Sequence, residues 1–206
     1  MNYIDRYQQW CNANLSSDIL AELADIKDDS EELKGRFLTD LQFGTAGMRG
    51  VMGAGSNRLN KYTVRRAAQG MALWLSETDL PQRAAIGYDS RHNSKLFAEV
   101  CAVAFAEAGV PVYLFDRLAP TPMLSYAVRA LGCGCGIVIS ASHNSGEYNG
   151  VKCYGPDGCQ MTDEPARGVT EKIAQIPYFM PEAKSFSEFV ESGLIHYIDN
   201  SVWENY

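Results

Sequence analysis

Histidine is scarce in this chain, with only His92, His143 and His196 present and each far from the others. The six cysteines, Cys11, Cys101, Cys133, Cys135, Cys153 and Cys159, do not make up for it, because Cys133-Gly134-Cys135 is too short for the common zinc-ligand pair and no other spacing suits one. A zinc centre is therefore not expected, nor is a secreted disulfide framework, and the thiols read as reduced packing residues. No apolar run approaches the roughly 20 residues of a membrane span, and the opening MNYIDRYQQW lacks a signal-peptide core, so a cytoplasmic location is the default expectation. Basic runs are missing as well. With a formal net charge of −7 the chain is not expected to bind nucleic acid or an anionic membrane, and any anion site must be local. No Gly-Lys-Ser/Thr closes a Walker A loop, and no Gly-x-Ser-x-Gly elbow is present. The cluster Gly132 to Gly136 precedes a strand instead of following it, the wrong order for a dinucleotide fingerprint.

What is present is an alternation of strand and helix patterns in 206 residues, enough for one sizeable domain. Tyr3 to Asn12 and Ser16 to Ile26 read as short amphipathic helices forming a packing extension. Asn60 to Glu77 places Val64, Ala67, Ala68, Met71, Ala72 and Leu75 on one helical stripe. Ala84 to Tyr88 is a strand, followed by a helix through Leu96, Phe97, Val100, Cys101, Ala104 and Phe105. Val110 to Phe115 is a strand, Met123 to Leu131 a helix with Thr121 and Pro122 at its N-cap and first position, and Ile137 to Ile139 a strand. Val151 to Tyr154 reads as an edge strand, Gly155 to Gly158 as its turn with Cys159 to Met161 returning, and Thr162 to Ile176 as a helix. The tail from Ser185 shows a short helical patch and then the apolar stretch Leu194 to Ile198. The expected fold is α/β and three-layered, with a mixed, mainly parallel sheet of about four strands covered by helices on both faces.

Three loops carry the chemistry. After the strand Ile137 to Ile139 come Ser140, Ala141, Ser142, His143 and Asn144, then Asn149, Gly150 and Lys152, which place a hydroxyl nucleophile near cationic groups at a strand end. Leu41 to Gly50, LQFGTAGMRG, combines glycines that let backbone approach a ligand with the Thr45 hydroxyl and the Arg49 fork, suited to phosphate oxygens. GYDSRHNS places Asp89 and Arg91 in a loop after a strand, either as a brace or as ligands. A serine hydrolase with Ser142 as nucleophile is a competing reading, weakened because an adjacent histidine is expected to be ill placed as its base.

ASHN followed by YNGVK resembles the phosphoserine loop of the α-D-phosphohexomutases, the phosphoglucomutase and phosphomannomutase group, although Ser145 stands where that family usually has proline. FGTAGMRG is similar to the family's Thr-Ser/Ala-Gly-x-Arg-Gly motif, and GYDSRHNS to its Gly-x-Asp-x-Arg element. The resemblance implies a phosphoserine at Ser142, with His143 and Lys152 as catalytic companions and either able to carry the proton. It implies Thr45, Arg49 and Asn144 as phosphate- or substrate-binding residues, with Asp89 and Arg91 in support. It implies an isomerase that interconverts glucose 1-phosphate and glucose 6-phosphate, with glucose 1,6-bisphosphate as intermediate or activator. Mg²⁺ would be held here by the Ser142 phosphate alone. Phosphomannomutase or phosphopentomutase specificity, and a non-catalytic phosphosugar-binding module, are the alternatives. Residues 1–39 are expected as a helical extension, 40–182 as the family's first domain, and 183–206 as the start of a linker to a missing second domain. The family's Asp-Gly-Asp-x-Asp metal loop, its sugar-reading loop and its distal phosphate loop are all absent from the 206 residues. The expected partners are therefore a hexose phosphate and the remaining domains of a longer chain, and residues 1–206 alone are expected to be inactive.

Overall fold

The structure, a computed structural model, describes residues 2–181 and 183–206. Met1 and Glu182, which bound two of the expected segments, lie outside the described residues. Three helices come first: α1 (Tyr3–Cys11), α2 (Ser17–Asp25) and α3 (Ser30–Phe37). They close over a small core of Trp10, Leu15, Leu23, Leu33 and Phe37, against which Tyr62, Tyr178 and Phe179 pack. Helix α3 is absent from the sequence reading although its signals are ordinary: Asp29 accepts from the Glu31 and Glu32 amides, acids fill the first turn and Lys34 and Arg36 the last.

The main layer follows with β1 (Gly47–Val51), α4 (Lys61–Ser76), β2 (Ala84–Tyr88), α5 (Ser94–Glu107), β3 (Val112–Leu114) and α6 (Thr121–Ala130). It continues with β4 (Cys135–Ile139), β5 (Tyr148–Tyr154), α7 (Asp163–Gln175), α8 (Phe186–Glu191), β6 (Ile195–Tyr197) and α9 (Asn200–Asn205). The strands form one mixed sheet in the order β1-β5-β4-β2-β3-β6. Strands β4, β2, β3 and β6 run parallel, while β5 is antiparallel to both β4 and β1. One face buries Ile86, Ile137, Ile139, Val151 and Cys153 against α4, α5, α7 and α8; the other buries Ala85, Val138 and Tyr154 against α6 and α9.

The α/β three-layer class is as expected, but the sheet has six strands where about four were read. The glycine-rich FGTAGMRG stretch folds partly as β1, so β5 is an inner strand with β1 at the edge, contrary to the edge assignment. Period-2 patterning cannot announce a strand whose residues include two glycines. Gly47 also sits at φ 113°, and a Cβ there would lie 1.9 Å from the Val151 carbonyl oxygen, so only glycine lets β1 start against β5. Within residues 183–206, expected as the start of a linker, β6 pairs with β3, and Val202 of α9 joins the core beneath α6. At α6 the N-cap is Pro120, one residue earlier than read.

Candidate active site

The connection leaving β2 leads to β3 on one side, and that leaving β4 leads to β5 on the other. Adjacent parallel strands whose connections diverge open a crevice at their C-terminal ends, where α/β proteins bind ligands. Here β2 delivers Asp89 and Arg91, and β4 delivers Ser140 to Asn144. The two strands stay in register to the end, Tyr88 beside Ile139, and the Asp89 amide donates to the Ile139 carbonyl at 3.1 Å. From the far side β5 and β1 add a third part, because Ser140 N–H donates to the Gly150 carbonyl at 2.9 Å and Gly150 stands opposite Arg49.

Ser142 is exposed and holds a left-handed backbone, φ 58°, unusual for a residue with a Cβ. Its amide donates to Ser140 Oγ at 3.1 Å, and its Oγ lies 3.3 Å from Nδ1 of His143. The sequence reading held that the neighbouring histidine was badly placed; the left-handed turn brings it within reach. Among the described residues no carboxylate contacts His143, so the third member of a hydrolase triad is missing.

Arg49 is exposed on β1, and its Nη1 donates to Asn144 Oδ1 at 2.8 Å. Lys152, half-buried on β5, has its pKa lowered by burial first and then by Arg49 and Arg91, against an opposing pull from Asp89. A local group of cations therefore stands on a chain whose net charge is −7. Thr45, expected to bind phosphate or substrate, donates its hydroxyl to Asp163 Oδ1 at 2.6 Å, tying the glycine loop to the first turn of α7.

Asp89 and Arg91 act on the loop. Asp89 Oδ1 accepts from the Arg91 amide at 3.0 Å and from Ser94 Oγ at 2.7 Å, and its Oδ2 faces Arg91 Nε at 3.6 Å. The guanidinium donates to the carbonyl oxygens of Ser142 (3.0 Å), Asn144 (2.5 Å), Ser145 (2.9 Å) and Tyr148 (3.0 Å). Behind it, the fully buried Asn149 donates to Ser94 Oγ at 2.9 Å and to the His92 carbonyl at 3.0 Å, while its Oδ1 accepts from the Gly150 amide at 2.8 Å. Ser94 was not singled out from the sequence, and Asn149 appeared only as part of a motif string. The signal available was the Asp89-x-Arg91-x-x-Ser94 spacing across a strand-to-helix turn.

Among the described residues no group of three or more His, Cys, Asp or Glu side chains could hold a metal ion. Asp89, the carboxylate at the crevice, is already engaged by Ser94 and Arg91. A divalent cation site is not composed by these residues alone. No helix among the described residues is long and apolar enough to cross a membrane.

Residues 40–178 match the family described as phosphoglucomutase/phosphomannomutase, alpha/beta/alpha domain I. A phosphoglucomutase of Staphylococcus epidermidis is 38% identical over 177 residues, 86% of this chain and 32% of the relative. One from Staphylococcus saprophyticus is 37% identical over 194 residues, 94% of this chain and 35% of the relative. A solved structure from Thermus thermophilus that carries a provisional phosphomannomutase name superposes with a TM-score of 0.66 at 28% identity, over 79% of this chain and 34% of that one. This chain thus spans about a third of the length of the curated relatives it matches. It belongs to the phosphoglucomutase/phosphomannomutase family, and what it matches there is the α/β/α domain I.

Proposed function

We propose that this chain is the phosphoserine-bearing part of a phosphoglucomutase-type isomerase acting on glucose 1-phosphate and glucose 6-phosphate. The observation that carries the reading is the exposed Ser142 Oγ, on a left-handed turn at the sheet's crevice, with Arg49 bonded to Asn144 of the same loop and Lys152 near Arg49 and Arg91, on an acidic chain. The curated relatives' phosphoglucomutase names support glucose phosphates as the substrate class.

In the first half-reaction the bond between phosphorus and Ser142 Oγ breaks as a bond from phosphorus to a sugar hydroxyl oxygen forms. The hydroxyl proton leaves to a base, and Ser142 Oγ takes up a proton. In the second half the bisphosphate returns its other phosphate to Ser142, so no phosphate is consumed. Such a transfer spreads negative charge over the equatorial oxygens, and fixed cations already in place stabilise it. Arg49 and Lys152 fill that role, and His143, in contact with Oγ, is the group at the serine for moving its proton. Lys152 is the second proton carrier, since burial and the neighbouring Arg49 lower its pKa and ease release of its proton. Mg²⁺, when bound, would supply charge neutralisation in such a transfer, and the residue of this chain that would help hold it is Ser142 in its phosphorylated form. Residues 1–206 alone are expected to give no turnover.

The test is peptide mass mapping of the enzyme that contains this chain. One phosphate is expected on Ser142, with Ser140 and Ser145 unmodified. Full mutase activity in Ser142→Ala, with no phosphopeptide from this loop, would sink the proposal.

A further inference from the structure

Arg91 has no Nη donor left for a ligand. A guanidinium carries five N–H groups, and here the four on Nη1 and Nη2 are matched by four carbonyl oxygens of one loop, with Nε turned to Asp89. Its charge therefore acts on the backbone of residues 142–148.

Collecting carbonyls has a second effect. A trans peptide unit is planar and holds its C=O and N–H on opposite sides. With the carbonyls of Ser142, Asn144 and Ser145 turned to the guanidinium, the amides of His143, Ser145 and Gly146 are turned away from it. None of these three amides has a hydrogen-bond partner among the described residues, whereas the Ser142, Asn144 and Tyr148 amides all do. Left-handed residues such as Ser142 are a component of the backbone concavities that take up anions.

We propose that Arg91 is a positioning residue that, by gathering four carbonyl oxygens, presents the His143, Ser145 and Gly146 amides as donors to a phosphate monoester. This rests on the reading that the loop handles phosphate, and it adds that backbone donors supply part of the grip. Asp89 faces the guanidinium from behind, and Ser94 in turn holds Asp89 by donating to its Oδ1. Lysine cannot replace arginine here, since an ammonium has three donors and no planar fork.

The probe is inorganic phosphate, titrated into the 206-residue chain and followed by amide ¹H–¹⁵N shifts. Saturable downfield shifts are expected at His143, Ser145 and Gly146. In Arg91→Lys and Arg91→Ala these shifts should vanish, and exchange of the bonded loop amides of Ser142, Asn144 and Tyr148 should accelerate on the order of tenfold or more, with exchange in β2 and β4 unchanged. Methylguanidinium should restore both in Arg91→Ala. Should the variants not fold, slow exchange of the Arg91 Nη protons in the unsubstituted chain is the corresponding readout. The proposal is overturned if phosphate leaves the three amides unmoved, if Arg91→Lys behaves like the parent, or if the Nη protons exchange as fast as those of exposed arginines. None of these measurements needs phosphoryl transfer, so phosphate binding at the amides without phosphoserine would count against the proposed function alone. Phosphoserine with unmoved amides would count against Arg91 alone.

Discussion

Arg49 Nη1 donates to Asn144 Oδ1 at 2.8 Å, joining the edge strand β1 to the loop that follows β4 across the intervening β5. The bond aims an exposed guanidinium at the Ser142 loop and leaves its remaining donors for an anion.

Arg49→Lys in the enzyme containing this chain is expected to lower kcat/KM by about 1.5 to 3 kcal/mol, the scale of a charged hydrogen bond. Steady-state kinetics on purified variants check this. A loss within error of zero would make Arg49 a structural link only.

Lys152 titrates below its ordinary value because of burial and the neighbouring Arg49. Between its folded pKa and the unfolded value the unfolded chain binds more protons, so this group's contribution to stability rises with pH through that window. Below the window the penalty is present in full. Lys152→Met is therefore expected to raise Tm at pH values below that window, and the gain should shrink as pH approaches the unfolded lysine value. Phosphate should stabilise the parent chain more than the variant, since the anion relieves the same repulsion. Calorimetry with and without phosphate decides; a Tm that falls in Lys152→Met at every pH would contradict the argument.

Asn149 is buried with both amide protons and its oxygen engaged, linking the Asp89 loop to β5. Asn149→Ala strands the Gly150 amide and the His92 carbonyl, at a cost of about 1 to 3 kcal/mol. Urea unfolding measures it, and an unchanged midpoint would remove this network from the account.

The cysteines divide by burial. Cys11 and Cys159 are exposed, while Cys101, Cys133, Cys135 and Cys153 are buried. Burial raises the pKa of all four, with Cys133 and Cys153 pushed up to about 12. A thiol-reactive dye is expected to label Cys11 and Cys159 in the native chain and the other four only after unfolding. Rapid native labelling of Cys135 or Cys153 would show that the sheet opens.

The sequence by itself determined whatever depends on neighbours along the chain. The apolar stripe of α4, the β-branched run of β4 and the succession β2, α5, β3, α6 are local patterns, and the order of the three loops named the family. Only tertiary structure decided pairing and direction. Gly47 to Val51 carries no period and becomes β1 because β5 offers it a ladder; β6 is a strand because β3 has a free edge. Thr45 turned out to serve Asp163, and His143 to reach Ser142, because a hydroxyl's partner and a backbone's handedness are set by what folds against them. Arg91 shows the division most plainly. Its place in Gly-x-Asp-x-Arg is visible in the string, but the four carbonyls it gathers lie 51 to 57 residues away. They converge only because parallel pairing sets the end of β2 beside the end of β4.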